Sequence, residues 1–200
     1  MTPNTKIIKK RFKGYLGRAF LPMAFILLFL MAPFTGPFFA SADAQEQTYK
    51  RFQEINFGFA FEIPVSWNIK LTPKKDYLIE GPKGSDAFEI GIIIQIIKKS
   101  QNPKSSAELQ LNKAEKQVMT LPGAELVKTD RVPMANQKAP FFVARYNTKT
   151  TQGNTATFGH TQVVLDQGDY YYWISFSGPL PIYDKYLPVL ERLLGSFSFR

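Results

Sequence analysis

The chain has 200 residues, no cysteine, one histidine and a formal net charge of +9 at pH 7. Without cysteine it forms no disulfide and carries no lipid anchor on a cysteine, so an apolar core must hold the domain together. The first 44 residues carry six basic residues and one acidic residue, which leaves 19 basic and 15 acidic residues in the rest. This balance argues against a nucleic-acid-binding domain, which would keep a clustered basic excess.

The first 44 residues predict export. Basic residues are followed by an apolar run over about 20–40, which ends in small residues, and this is the pattern of a secretory signal peptide. Cleavage after Ala42 or after Ala44 fits the sequence. The run is also about as long as the ~20 residues that span a bilayer, so an uncleaved membrane anchor is the alternative. We predict a signal peptide over 1–44, a single domain over 45–200 and a periplasmic or extracellular location.

The next part of the chain predicts antiparallel strands. A first strand is expected over 49–55. In 57–63, large apolar residues alternate with small or polar ones, so a strand places four of them on one face. Pro64 should end this strand, and Trp67 should close one end of the core. Short strands over 69–71 and 77–79 follow, with turns at 74–76 and 81–86.

A central strand and a helix follow. The run 87–97 is rich in isoleucine and apolar on both faces, which indicates a strand with packing on both sides. Ser105 and Glu108 have the spacing of a capping box, and apolar residues recur at helical spacing over 107–118. The segment 121–123, Leu-Pro-Gly, should stop this helix.

The last third of the chain predicts a four-stranded antiparallel meander, a helix and a short edge strand over 196–199. The helix should present an apolar face over 183–194, should either kink at Pro188 or begin just before it, and should end at Gly195. The meander strands are predicted over 125–132, 140–148, 155–165 and 170–177, with turns at 135–138, 151–154 and 166–169.

This order of elements, together with FEIPVSW at 61–67 and LLGSFSF at 193–199, resembles the PsbP-like superfamily, which includes extrinsic photosystem proteins and periplasmic DcrB-like proteins. The resemblance covers nearly all of 49–200. It implies an α+β fold, with an antiparallel β-sheet flanked by helices in an α/β/α sandwich. It also implies a class of mostly non-enzymatic proteins that bind or help to assemble envelope complexes. The metal-related residues of the photosystem members have no counterpart here, and we expect no cofactor.

No catalytic or metal-binding group is predicted. His160 has no second histidine or cysteine at ligand spacing, and we interpret it as a structural strand residue. Ser66 lacks the surroundings of a nucleophile elbow and is interpreted as a turn residue. Asp166 and Asp169 flank a glycine turn, where calcium is one reading, but side-chain capping of the turn explains both residues without an ion.

Aromatic residues in two strands are the predicted binding residues: Tyr146, Tyr170, Tyr172 and Trp173. A strand sends Tyr170 and Tyr172 to one face and Tyr171 and Trp173 to the other. If a helix covers only one face, the other face presents aromatic surface, and Tyr and Trp are enriched at binding sites. The alternative is that helices cover both faces and that the aromatic residues belong to the core or its rim.

Basic residues are concentrated between 70 and 104, where seven lysines occur. We interpret these as solvated loop lysines, with a patch facing lipid headgroups as the alternative.

Together these observations predict an exported, non-enzymatic binding or assembly protein that acts on an envelope protein partner. One alternative is a small-molecule-binding domain with an aromatic pocket, and another is a hydrolase with an unrecognised site. No nucleic-acid partner is expected, and membrane contact is expected only if the N-terminal segment is retained.

Overall fold

The computed structural model describes residues 48–101, 105–149 and 153–200, so the predicted export segment, 1–44, lies outside the described residues. The predicted turn at 151–154 lies partly outside them as well. The ten strands and two helices are β1 (Tyr49–Glu54), β2 (Phe59–Pro64), β3 (Asn68–Leu71), β4 (Tyr77–Glu80), β5 (Gly91–Lys98), α1 (Ala107–Val118), β6 (Glu125–Met134), β7 (Gln137–Lys149), β8 (Thr155–Gln167), β9 (Tyr170–Pro179), α2 (Leu180–Ser196) and β10 (Ser198–Phe199).

Seven strands form an antiparallel sheet in the order β3-β4-β5-β9-β8-β7-β6. The predicted meander is the run β6 to β9, and its strands lie next to one another because each connection spans only a few residues. β5 is an interior strand of the sheet, and Ile92 and Ile94 are fully buried on one face. The predicted packing on both faces is only partly found, because Ile93 and Gln95 on the opposite face are half-exposed.

A second antiparallel sheet, β1-β2-β10, packs with α2 against one face of the seven-stranded sheet. β10 pairs with β2 at the edge, as predicted for the C-terminal segment. Helix α1 packs on the opposite face, over β7 and β8. The predicted α+β fold with an antiparallel sheet flanked by helices is therefore confirmed.

The aromatic stretch supplies the centre of the main core, with one correction. Phe59, Phe61 and Ile63 are buried, and so is Trp67. Phe57, predicted to begin the same stripe, lies instead in the β1–β2 turn and is 36% exposed. The chain turns here because Gly58 adopts a left-handed backbone conformation with φ of 67°, which other residues adopt only at a cost.

The predicted strand over 87–97 is wrong at its start. Asp86–Glu89 form a short 3-10 helix, and the strand begins at Gly91. The cause is a close approach between Ala87, which is buried, and Gly81, where an added Cβ would meet the Ala87 Cβ at 2.4 Å. At 86–89, tertiary packing against the preceding loop therefore overrides the strand propensity of the sequence.

The predicted cap of α1 is off by one residue. The Ser106 hydroxyl accepts the capping hydrogen bond from the Leu109 amide at 3.2 Å. Ser105 instead accepts a hydrogen bond from the Gln110 side chain at 2.6 Å. Glu108 forms an ion pair with Arg131 on β6 rather than closing a box with Ser105.

Helix α2 is longer than predicted at both ends. It begins at Leu180, with Pro181 in its first turn, where a missing amide hydrogen costs nothing. Pro188 lies in the helix interior, so the helix does not begin just before it. The helix also continues past Gly195, and the capping residue is Phe197.

Candidate interaction surfaces

The four aromatic residues predicted to bind a partner do not form one cluster. Tyr170 and Tyr172 face the side of the sheet that carries α2, where both join the main core. Trp173 faces the other side and packs against the α1 cluster. Tyr146 shares this second side, because its strand neighbours Phe142 and Ala144 belong to the same cluster.

Tyr172 lies deep in the main core and is only 2% exposed. Its ring centroid lies 5.7 Å from that of Phe59 and 5.0 Å from that of Phe199. Burial raises the pKa of the Tyr172 hydroxyl to about 12. This environment suits a structural ring that links the two sheets.

Tyr170 is half-buried at the start of β9. Its ring meets the edge of Phe57, with 5.4 Å between centroids, so it supports the β1–β2 turn. The sequence pattern predicts no role for this turn, because the alternation places Phe57 in a strand.

Tyr146 contacts the histidine of the chain, with 6.1 Å between the ring centroids of Tyr146 and His160. Phe142 covers the other side of His160 at 5.7 Å. Burial lowers the pKa of His160 to about 4, and its Nε2 atom is buried without a hydrogen-bond partner among the described residues. A neutral imidazole between two aromatic rings fits the predicted structural role.

Ser66 and His160, the residues considered for the hydrolase alternative, do not form a catalytic pair. Ser66 is exposed in the β2–β3 turn, whereas His160 lies on β8. Within the described part of the chain no hydrogen bond joins these two side chains.

The alternative in which Asp166 and Asp169 bind calcium is weakened by an ion pair, because the Asp166 carboxylate binds the Lys99 ammonium group. Among residues 48–101, 105–149 and 153–200, no group of three or more histidine and acidic side chains is placed to hold a metal ion.

One half of a sheet face forms the first candidate surface, here called the open sheet face. Helix α1 covers β7 and β8 and also packs on Tyr171 of β9, with Ile97 and Trp173 at the edge of this cluster. The open sheet face is the strip of β4, β5 and β9 that extends from Trp173 away from α1. Side chains on adjacent strands of this strip are paired across the sheet and half-exposed: Leu78, Ile93, Gln95, Trp173 and Ser175. The indole Nε1 of Trp173 is buried and makes no hydrogen bond within the described residues.

A cleft beneath α2 is the second candidate. Its volume is about 160 Å³, and it opens between α2 and the outer strands of the large sheet. None of the four predicted aromatic residues lines it. The lining is mostly apolar, with the hydroxyl of Thr161 and the carboxylate of Glu191, and its apolar residues include Val132, Phe141, Val163, Leu187 and Leu190.

One end of the molecule forms the third candidate. Ile55, in the β1–β2 turn, is 85% exposed, and Leu71, at the end of β3, is 64% exposed. Both side chains border a cleft of about 400 Å³ between β1 and β3. The sequence predicts both residues to lie in extended segments but does not predict that they are exposed, because exposure depends on which strands end at this point.

In the described residues, no helix has the length and hydrophobicity needed to cross a membrane.

No protein-family model matches the sequence, and no curated protein matches it. Solved structures do match. LpqN of Mycobacterium tuberculosis superposes with a TM-score of 0.52 at 11% identity, over 76% of this chain and 90% of LpqN. The Ran-binding protein Mog1p of Saccharomyces cerevisiae superposes with a TM-score of 0.54 at 12% identity, over 76% of this chain and 96% of Mog1p.

Cyanobacterial PsbP from Synechocystis sp. PCC 6803 also matches, with a TM-score of 0.49 at 13% identity, over 82% of this chain and all of that chain. At these identities the likenesses bear on the fold alone. The superpositions on LpqN and Mog1p show that the chain shares their fold, an α+β fold with an antiparallel sheet flanked by helices, as the sequence resemblance predicts.

Proposed function

We propose that this protein is an exported, non-enzymatic binding or assembly protein that engages an envelope protein partner through the open sheet face. The observation that carries the proposal is the unequal cover of the large sheet. One face is packed by α2 and the small sheet, whereas α1 covers only part of the other. A sheet face that carries apolar side chains is stabilised by a cover, and a protein partner is one such cover.

The chemistry of this face suits a protein interface. Trp173 supplies a large ring, and Leu78 and Ile93 extend an apolar surface beside it. Aromatic residues with apolar neighbours are the usual anchors of protein interfaces. The Ser175 hydroxyl donates to the Gln162 side chain at 2.6 Å, so this polar group is already satisfied when a partner excludes water.

Export is supported by the basic and apolar pattern of the first 44 residues. The fold relatives are compatible with a binding role, since LpqN is described as involved in cell envelope biogenesis and Mog1p as a Ran-binding protein. Because a fold hosts many functions, the proposal depends on the surface rather than on these relatives.

The experiment is mild crosslinking of the full chain in intact cells, followed by purification of the protein. We expect one defined envelope protein to co-purify, and we expect less of it with Trp173→Ala. Tyr172→Phe is the control, because it removes only a hydroxyl on the covered side of the sheet. Recovery of the free monomer alone, with crosslinkers of several lengths, would contradict the proposal.

A second candidate function is the binding of a small apolar compound in the cleft beneath α2. Its volume of about 160 Å³ is close to the roughly 150 Å³ of an engineered apolar cavity that accepts benzene. The ligand would thus be about the size of one aromatic ring or the end of an acyl chain.

Titration with benzene, followed by NMR, tests this candidate. Saturable shifts at Val163 and Leu190 are expected, and Val132→Phe should abolish them by filling the cleft. Val127→Phe is the matched control, because Val127 is 45% exposed on the same strand and does not line the cleft. Shifts that grow without saturation, or that survive Val132→Phe, would exclude a binding site there.

A further inference from the structure

Hairpin turns meet at one end of the molecule and present large apolar side chains to solvent. The β1–β2 turn carries Ile55 and Phe57, and Leu71 precedes the β3–β4 turn. The turns lie together, because Ile55 and Leu71 border one cleft and Phe57 contacts Tyr170 at the start of β9. We call Ile55, Phe57, Leu71 and the adjacent Lys74 and Lys75 the tip surface.

The apolar part of the tip surface protrudes. Ile55 is 85% exposed and Leu71 is 64% exposed. Both side chains are aliphatic and stand at the ends of strands. Such side chains are well placed to enter the boundary between lipid headgroups and acyl chains.

The polar groups of the β1–β2 turn are already satisfied from within the protein. The Glu54 carboxylate accepts hydrogen bonds from the Phe57 amide at 2.5 Å and from the Asn56 side chain at 2.9 Å. Glu54 itself is only 8% exposed. A turn whose donors are paired in this way loses less hydration free energy when it enters an apolar environment.

Free positive charge lies beside these side chains. Lys74 and Lys75 lie three and four residues after Leu71 in the β3–β4 turn, and Lys98 pairs with Tyr170 in the sheet. All three are exposed, and none forms an ion pair with a described residue. Lysines at this position attract an anionic surface.

Besides Asp166, three carboxylates of the described residues lie at this end, Glu54, Asp76 and Asp169, but only Asp169 is as exposed as the three lysines. The Asp76 carboxylate accepts a hydrogen bond from Gln95 at 3.1 Å, and Asp166 pairs with Lys99. Asp169, in the β8–β9 turn, is the remaining exposed carboxylate at this end.

We propose that the tip surface contacts an anionic lipid bilayer, with Ile55 and Leu71 entering the interface and Lys74 and Lys75 facing the headgroups. The contact is separate from the partner site proposed above, because the open sheet face lies on the other side of the large sheet. It also does not depend on the N-terminal segment, which sequence reasoning made the condition for membrane contact. Protruding aliphatic side chains beside unpaired lysines favour a bilayer over a protein partner.

A local probe tests this without interference from the apolar N-terminal segment of the full chain. The chain has no cysteine, so Ile55→Cys carries an environment-sensitive fluorophore at one position only. The matched control is Val65→Cys, which is 50% exposed at the other end of the β1–β2 hairpin. Both substitutions lie on exposed sites, so both variants should fold.

The labelled chains are mixed with vesicles of equal parts phosphatidylcholine and phosphatidylglycerol, or of phosphatidylcholine alone. We expect the label at position 55 to shift to the blue and to be quenched by bilayer-embedded nitroxide in the anionic vesicles, with the label at 65 unchanged. An unchanged label at 55, equal changes at both positions, or equal quenching in the two kinds of vesicle would overturn the proposal.

Charge reversal in the same labelled chain tests the lysines. Lys74→Glu with Lys75→Glu should reduce quenching at position 55 by at least about fivefold, because two attractive charges become repulsive. Lys113→Glu with Lys116→Glu is the control, since these lysines are exposed on α1 and equal in number. If quenching at position 55 fell equally in the two double variants, net charge alone would explain the loss, and the proposed contact would be contradicted.

Discussion

Single residues in the aromatic stretch have distinct roles that alternation alone does not separate. Phe59 is 1% exposed, and its ring stacks on Phe197 with 5.4 Å between centroids. Phe57, two residues earlier, turns outward after β1 ends. Because both residues are apolar and evenly spaced, the sequence predicts that they share one strand face. The end of the strand, however, depends on where β1 and β2 stop pairing.

Truncation of Phe59 and truncation of Phe57 should therefore lower the free energy of unfolding by different amounts. Phe59→Ala should lower the free energy of unfolding by about 3–5 kcal/mol, because it leaves a cavity in the core. Phe57→Ala should cost about 1 kcal/mol or less, since the ring is partly exposed. Urea titration of both variants measures the difference, and similar losses would mean that Phe57 belongs to the core.

His160 should make stability depend on pH. Burial holds its folded pKa at about 4, below the ordinary value of 6.5, so the unfolded chain binds more protons between these two values. Stability therefore falls as the pH drops from about 6.5 to 4, by at most about 3 kcal/mol.

The chain has a single histidine, so the imidazole proton resonances are assigned without ambiguity, and their NMR titration should have its midpoint near pH 4. His160→Gln is the control, because glutamine does not titrate and the variant should lose this part of the pH dependence. A midpoint near 6.5, or an unchanged pH dependence in the variant, would mean that the imidazole is solvated.

At the scale of elements, strands were easier to predict than helix ends. The turn residues and the alternation locate β6 to β9 within a few residues, since short connections force neighbouring strands to pair. The α1 cap was missed by one residue because Ser105 and Ser106 have equal capping ability. The choice depends on a tertiary contact, in which the Tyr171 hydroxyl donates to the Ser105 carbonyl.

Helix α2 offers a prediction about proline. Pro188 lies inside the helix and is exposed, so Pro188→Ala restores a backbone donor without loss of core packing. We expect the free energy of unfolding to rise by about 1–3 kcal/mol. Pro181→Ala is the matched control and should change stability little, because proline is tolerated in the first turn. Destabilisation by Pro188→Ala in thermal melts would show that the ring is required.

For the whole molecule, the sequence predicts the fold but not the surfaces. The order of elements and the apolar patterns are sufficient for an antiparallel sheet flanked by helices. The surfaces depend on how much of the sheet α1 covers and on which turns share one end, and both are set by tertiary packing. The sequence predicts Trp173, Tyr170, Tyr172 and Tyr146 together as binding residues, yet the sheet separates them onto two faces.

The central claim is that a protein partner covers the open sheet face, and photo-crosslinking from defined positions in intact cells tests it most directly. A photoreactive amino acid replaces Ile93 on the open sheet face or, as the control, Lys113 on the solvent side of α1. We predict one discrete crosslinked envelope protein from position 93 and none from position 113. Free monomer at position 93, or the same product from both positions, would contradict the account.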